Sequence, residues 1–525
     1  MSVLDYIWLG ILAVFQGPEA FSIFGLAISI TVVMVISGFF LGILVGATPG
    51  LAGPVAMAIS LPILISTFGY NTDALLPVLG FLIGVMKGAT VGGAVPAILF
   101  NTPGTPDAFM TTLDGYPMAK RGEAKRALRI AHFSSVSGDT FSDLVLIIGA
   151  PFLAIMVERY LDLPEKTALL ILSLSFISAV VGGSVGRGLI STGLGLLAVY
   201  VGTGEDFYPR LSMGTQTLAQ GFPIATSVLG VLIIGAVFKE LDELRSDQRA
   251  SRMKPITTSD TNSALTLAER VKLAPTIFRS AVIGTVVGAL PGIGSTLAAT
   301  LGYTAAKRRH DDTEGGKFGE GAPKGIAATE AANSAVSGAN LMPVLSLGIP
   351  GNAAAVFLLL AMDSISGFNP SPTVFKFDPV NLNPELVMAF GIFTTMFLAN
   401  ALNWTVGGRV MRTMRFMIRI PKHILLPSVL LLTLTAIYVQ ETRIEALYFA
   451  VGFGVLGYLM RVFGISPLPF VIAFILGAKL EETARQAYAA TGNDPWFLFT
   501  HPVAAVFVAV SVGVMILTSR KRGSV

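Results

Sequence analysis

Gly46-Ala47-Thr48-Pro49-Gly50-Leu51 recurs in this chain as Gly288-Ala289-Leu290-Pro291-Gly292-Ile293, an offset of 242 residues (49 to 291). A second pair follows each copy. Pro96 is followed seven residues on by Pro103-Gly104, and Pro343 seven residues on by Pro350-Gly351, an offset of 247 (103 to 350). One Pro-Gly pair carries little information among 29 Pro and 56 Gly. Two ordered matches at similar displacement, each inside an apolar stretch, make an internal repeat, and a repeat governs the whole architecture.

The sequence around the repeat is that of a membrane protein. Of 525 residues 53% are hydrophobic and 13% charged, where soluble domains carry about a quarter charged, and the mean hydropathy is +0.72. Runs such as 21–45, 222–238 and 502–518 have the roughly 17 to 25 residues that cross about 30 Å of hydrocarbon as a helix. In lipid the backbone must satisfy its own hydrogen bonds, and unbroken apolar runs without period-2 alternation exclude a β-barrel. The expected fold is an all-α polytopic membrane protein of about 11 to 14 membrane segments, broken or re-entrant helices included.

Loop charge orients the two halves. Between the motifs, residues 66–77 carry no Lys or Arg, whereas 307–324 carry Lys307, Arg308, Arg309, Lys317 and Lys324. After the second motif the bias reverses: Lys120, Arg121, Lys125, Arg126 and Arg129 follow the first copy, and only Lys376 lies in 364–383 after the second. Positive charge marks the cytoplasmic side, so the halves read as two inverted-topology repeats, the plan of many secondary transporters with a binding site near the midplane. Four apolar segments, around 140–157, 165–182, 188–203 and 222–238, carry the chain back to the same side. The expected organisation is an N-terminal interfacial or first membrane helix (1–20), the repeat 1 core with broken helices (21–130), its accessory helices (131–238), a cytoplasmic linker (239–272), the repeat 2 core (273–383), and its accessory helices with a cytoplasmic tail (384–525). Residues 1–16 lack the basic n-region of a cleaved signal peptide and are read as retained. Residues 409–422 and the Arg520-Lys521-Arg522 tail are read as cytoplasmic too.

Several function classes drop out. Cysteine is absent, and His132, His310, His423 and His501 are scattered, so neither a disulfide nor a metal-spaced ligand pair exists in the sequence. The net charge of +4 and pI near 9.1 are assigned to cytoplasmic loops, not to nucleic acid. The glycine-rich strings 80–93 and 315–325 contain no G-x-x-x-x-G-K-[ST], which leaves a nucleotide-driven pump without support.

Pro and Gly together break a membrane helix and free backbone groups, which lipid tolerates only where protein buries them or a ligand uses them. Each helix that restarts after a break presents amides and a positive dipole end, an anion site that needs no side-chain charge. Candidate substrate contacts are therefore Thr48, Pro49, Gly50, Asn101, Thr102, Pro103, Gly104, Gly292, Gly294, Ser295, Pro350, Gly351 and Asn352, with Thr105 and Thr296 beside them. Small residues of this kind also serve simply to pack helices closely. Ionisable groups inside apolar segments raise a functional hypothesis. Lys87 pairs either with a substrate carboxylate or with a structural counter-ion. Glu330 and Asn333, with Ser346, are candidates for cation coupling, Glu330 alternatively making an interhelical hydrogen bond; a candidate Na⁺ site lies near Asn101, Thr102 and Ser346. Asp107 and Asp114 are read as helix caps or as facing water.

At these motifs the chain resembles the large membrane subunit of the tripartite tricarboxylate transporters, the TctA-like proteins. The resemblance runs through Gly46 to Leu51, Gly92-Gly-Ala-Val-Pro-Ala-Ile-Leu-Phe-Asn-Thr-Pro-Gly-Thr-Pro106, Asp114-Gly-Tyr-Pro117, Gly288 to Gly294, Phe318-Gly-Glu-Gly321, and Thr329-Glu-Ala-Ala-Asn333 on to Gly348-Ile-Pro-Gly351. It departs at Ser334, where the family often has a second Asn, and at Lys87, where many relatives are uncharged. The resemblance implies a multi-pass subunit of the bacterial inner membrane, its C-terminus cytoplasmic, working with a small membrane subunit and a periplasmic substrate-binding protein. It would import small tri-, di- or aromatic carboxylates with Na⁺ or H⁺ as the coupling ion and no cofactor. The rival readings are an anion channel, which lacks the rings of pore-lining charge, and a membrane-embedded enzyme, for which only Lys87 and Glu330 offer chemistry.

Overall fold

The computed structural model describes residues 2–23, 25–48, 51–181, 184–203, 209–246, 265–290, 294–309, 316–365, 368–414 and 422–522. Its principal helices are α1 (Val3–Phe15), α2 (Ile30–Gly46), α3 (Gly53–Phe68), α4 (Leu75–Phe100), α5 (Phe109–Met118), α6 (Ala124–Tyr160), α7 (Leu163–Val181), α8 (Val185–Val199), α9 (Ile224–Leu244), α10 (Leu267–Ala289), α11 (Ser295–Lys307), α12 (Pro323–Ala339), α13 (Leu341–Leu347), α14 (Ala353–Ser364), α15 (Pro384–Leu402), α16 (Lys422–Glu441), α17 (Ile444–Val462), α18 (Leu468–Ala490) and α19 (Pro502–Arg522). Among the described residues, nine helices are long and apolar enough to cross a membrane, and five shorter apolar helices of 10–17 residues stand among them. The chain is an all-α polytopic membrane protein. Among the described residues, strands are confined to two short antiparallel pairs, 19–23 with 26–29 and 202–203 with 209–210.

The chain contacts divide it into two compact units: Met1–Ala154 with Ala250–Leu290 and Gly294–Pro421, and Ile155–Arg249 with Pro291–Ile293 and Lys422–Val525. The first unit is built around α4. Apart from Lys87 and Thr90 this helix is apolar on every side, and it is almost wholly buried, as a helix without a polar face must be. Its close neighbour is α2. A Cβ on Gly42 would overlap the Val85 carbonyl, so glycine there lets the two backbones touch. The same contact recurs in α10 and α12, where a Cβ on Gly284 would overlap the Ala332 carbonyl. Gly42 to Gly284 is the 242-residue offset and Val85 to Ala332 the 247-residue one. The element series repeats accordingly: α2, α3 and α4 correspond to α10, α11 and α12 with α13, and the segment from 106 to α5 corresponds to α14.

Within this unit α1 starts at a capping box between Ser2 and Asp5 and packs on α15 through Gly10 against Phe390. Its Tyr6 hydroxyl donates to the carbonyls of Asp378 and Asn381 at 2.9 and 3.0 Å, alternatives for one proton, and accepts from the Asn383 amide at 3.1 Å. The second unit holds α7, α8, α9 and α16 to α19. There Arg461 donates to the carbonyls of Val231 and Leu232 at 2.8 Å, joining α17 to a π-helical turn of α9, and Arg210 pairs with Glu481 at 2.8 Å. The centre of the expected linker (247–264) and parts of the expected cytoplasmic stretches (310–315, 415–421, 523–525) lie outside the described residues.

Candidate functional site

Helices end ahead of each of the four Pro-Gly pairs, at Gly46, Phe100, Ala289 and Leu347, and the next ones begin beyond them, at Gly53, at Pro106 in a 3-10 turn leading to α5, at Ser295 and at Ala353. Two of the stops can be followed bond by bond. Asn101 ends α4 in the left-handed region (φ 56°, ψ 26°), and Gly348 ends α13 there (φ 66°, ψ 31°). The next amide folds back in each case: Thr102 N–H donates to the Pro96 carbonyl at 3.3 Å, and Ile349 N–H to the Pro343 carbonyl at 3.2 Å. This six-residue return satisfies carbonyls that a helix end leaves open. Both donors and both acceptors differ by 247, so each proline that opens the motif supplies the carbonyl that closes it.

The stops of each copy pack together. Gly104 lies against the Gly46 carbonyl at the end of α2, and Gly351 lies against Asn340 with the Gly288 carbonyl at the end of α10 beyond it. The two copies also interlock. The Thr296 hydroxyl at the start of α11 donates to Asp107 Oδ1 at 2.7 Å, and α14 packs on α3. The start of α11 has no cap from its own Gly294, so the carboxylate of the other copy occupies that end. The start of α14 is capped internally, Asn352 Oδ1 accepting from the Ala355 amide at 2.9 Å. The start of α3, at Ala52, carries no side-chain cap.

Of the sequence-predicted contacts, Pro49, Gly50 and Gly292 lie outside the described residues. Thr48 is buried and its hydroxyl donates to its own helix at the Leu44 carbonyl, 2.9 Å. Asn101 is exposed, Thr102 and Pro103 half-buried, Gly104 buried; Gly294 and Asn352 are half-buried, and Ser295, Pro350 and Gly351 buried. Ser346 is buried and donates to the Ala150 carbonyl at 3.2 Å. Glu330 is fully buried on α12 with Asn333 one turn on. Its Oε1 accepts from the Thr111 hydroxyl at 2.5 Å, and its Oε2 has no partner. Lys87 is buried, and its Nζ lies 2.8 Å from Asp139 Oδ1 and 2.8 Å from Asp143 Oδ2, so the counter-ion it needs is already present. One cavity, lined by Phe133, Ser137, Phe141, Ile277 and Phe278, is apolar apart from the Ser137 hydroxyl, which already donates to the Phe133 carbonyl at 2.7 Å.

Comparison with known proteins joins this geometry to a family. Residues 32–472 match the Tripartite tricarboxylate transporter TctA family. The chain belongs to the TctA family. It is 30% identical over 491 residues, 93% of either chain, to an uncharacterized 52.8 kDa protein in the TAR-I ttuC' 3' region of Agrobacterium vitis. It is also 28% identical over 234 residues, 45% of this chain and 93% of the other, to an uncharacterized protein in the TAR-II ttuC' 3' region of the same organism. No solved structure matches it. TctA membership makes the chain a tricarboxylate transporter subunit of the membrane.

Inside this TctA fold the structure adds residues that the sequence reading missed. Asp139 and Asp143 lie in the interior of the 37-residue α6, the one just before and the other just inside the apolar segment read at 140–157. Asn400 Nδ2 donates to Asp143 Oδ2 at 2.7 Å and the Ser337 hydroxyl to Asp139 Oδ1 at 2.5 Å. Asp114 neither faces water nor caps its own helix. It is fully buried, and its Oδ1 accepts from the amides of Gly319, Gly321 and Ala322 at 2.8 to 2.9 Å. The Phe318-Gly-Glu-Gly321 stretch is thus a loop folded around a carboxylate, its glycines at φ +89° and +104°. Arg121 fixes the same loop through the Glu320 and Gly321 carbonyls.

Proposed function

We propose that this chain is the transport subunit of a binding-protein-dependent tripartite system, taking up small tri-, di- or aromatic carboxylates by cation-coupled secondary transport across the bacterial inner membrane. The reading includes two repeats of inverted topology (cores 21–130 and 273–383), a cytoplasmic C-terminus, a small membrane subunit and a periplasmic substrate-binding protein. The observation that carries it is the bond between Thr296 and Asp107. At that restarted helix end a carboxylate is already held by a helix N-terminus and a hydroxyl, the chemistry proposed for substrate. Substrate carboxylates take the ends of the restarted helices, α3 above all, where no side chain caps the start, with Thr48, Asn101 to Gly104, Gly292 to Ser295 and Pro350 to Asn352 around them. Glu330, with one oxygen hydrogen-bonded and the other without a partner, holds the coupling Na⁺ or H⁺ together with Asn333, because a buried unpaired carboxylate is costly until a cation or proton joins it.

Uptake of labelled carboxylates into proteoliposomes containing the chain, its small membrane subunit and the binding protein tests this reading. Saturable accumulation that follows an imposed Na⁺ or pH gradient is the expected result. Flux without saturation or gradient dependence means a channel, and chemical conversion of the substrate means an enzyme.

A further inference from the structure

Lys87, Asp139 and Asp143 put one cation and two anions into a place that water does not reach, every side chain no more than 4% exposed. The arrangement is locally short of positive charge. Lys87 from α4 donates to both carboxylates; Asp139 also accepts from Ser337 of α12, and Asp143 from the amide of Asn400 of α15. Two acceptor oxygens are left over. Asp143 Oδ1 and Asn400 Oδ1 are both buried without a hydrogen-bond partner, the former in the space that a Cβ on Gly338 of α12 would fill. The titratable groups that face Asp143 are Lys87 from α4 and Asp139 from its own helix; α12 brings a hydroxyl and a glycine, and α15 an amide.

Two deficits coincide here. A buried ion pair is tolerated when charge and hydrogen bonds both balance, and this one has an excess negative charge and two acceptors without a donor. A single proton on Asp143 Oδ1 removes the excess charge and supplies the missing donor. Asn400 already donates to the other oxygen of this carboxyl, and its own buried oxygen is an acceptor still without a donor. A metal cation at the same oxygens would sit beside the Lys87 ammonium, itself 2.8 Å from the carboxyl's other oxygen, and like charges at such range repel strongly in a dry interior.

We propose that the Lys87–Asp139–Asp143–Asn400 cluster is a proton-binding site, with one exchangeable proton carried on Asp143 Oδ1, and that this proton is a coupling ion distinct from the cation at Glu330. The coupling role rests on the transport reading above; the proton site does not. On loading, a proton from water forms the O–H bond at Oδ1 and no other covalent bond changes; release returns it to water.

Infrared difference spectroscopy on the full chain in lipid nanodiscs, with a pH jump in Na⁺-free buffer, reads the protonated carboxyl directly. The expected result is a pH-responsive carboxylic C=O band that Asp143→Asn abolishes, Asn400→Ala shifts and Glu330→Gln leaves in place. Asp143→Asn copies the neutral state and should fold; if it does not, the Asn400→Ala shift decides alone. A spectrum that neither variant alters, or carboxylate bands that respond to Na⁺ and not to pH, overturns the proposal. In proteoliposomes, Asp143→Asn should lose accumulation driven by a pH gradient while retaining carboxylate counterflow, and unchanged pH-driven accumulation would overturn the coupling role. Were the wild type to move no carboxylate at all, the transport reading would fail and the infrared result would still stand or fall by itself.

Discussion

Thr296 and Asp107, 189 residues apart, meet in a 2.7 Å hydrogen bond that ties the second break of the first copy to the restarted helix of the second. A carboxylate that belongs to the protein therefore sits where a ligand carboxylate is proposed to bind. Asp107→Ala should vacate the start of α11 and strengthen substrate binding there. Interaction of an anion with a helix start is worth about 0.3–1 kcal/mol, so the apparent KM for carboxylate uptake should fall roughly 2- to 5-fold. An unchanged or higher KM would place the substrate away from α11.

Glu330→Gln keeps an oxygen for the Thr111 hydroxyl to donate to and removes the ionisable group. The variant should fold, exchange labelled for unlabelled carboxylate across the membrane, and fail to accumulate it against a gradient. Accumulation at the wild-type level would remove Glu330 from coupling, since an amide cannot take up a proton at physiological pH and binds a cation far more weakly than a carboxylate does.

What the sequence discloses, and what it hides, follows from how local each physical effect is. Pro96 and Pro343 act on their own backbone, and Asn101 and Gly348 take conformations favoured by those residue types, so the stops could be read from spacing alone. Lys87 stood out because a charge inside an apolar run is costly. Its partners did not. Asp139 and Asp143 lie 52 and 56 residues away and Asn400 lies 257 residues from Asp143. Moreover, Ser134, Ser135, Ser137 and Ser142 make that part of α6 polar enough to pass for the edge of the membrane. Asp114 was opaque for the same reason, its three amides being 205 to 208 residues further on.

Gly42 and Gly284 are the clearest test of the structural repeat. Each lets a helix backbone come into contact with its neighbour, at the Val85 and Ala332 carbonyls respectively. Backbone offers no flexible end that could move aside. Gly42→Val and Gly284→Val should each lower stability by about 1–3 kcal/mol, read as a fall in the thermal unfolding midpoint of the protein in detergent. If one substitution were tolerated and the other not, the two helix pairs would not be equivalent.

Asp114 should matter through its charge as well as its shape. Of the amides that it accepts, those of Gly321 and Ala322 are buried, while Gly319 is exposed. Asp114→Ala leaves two buried donors without an acceptor at roughly 1–3 kcal/mol each, whereas water can reach the third. Asp114→Asn retains one acceptor oxygen, but bonds to a neutral acceptor are about half as strong as those to a carboxylate. Thermal unfolding in detergent should therefore rank wild type above Asp114→Asn and Asp114→Ala last. Because the loop leads directly into Pro323 at the start of α12, which carries Glu330, the same order should appear in gradient-driven uptake. Equal stability of the two variants would mean that the ionised carboxylate adds nothing beyond filling the loop, and that the glycines at 319 and 321 hold the turn by themselves.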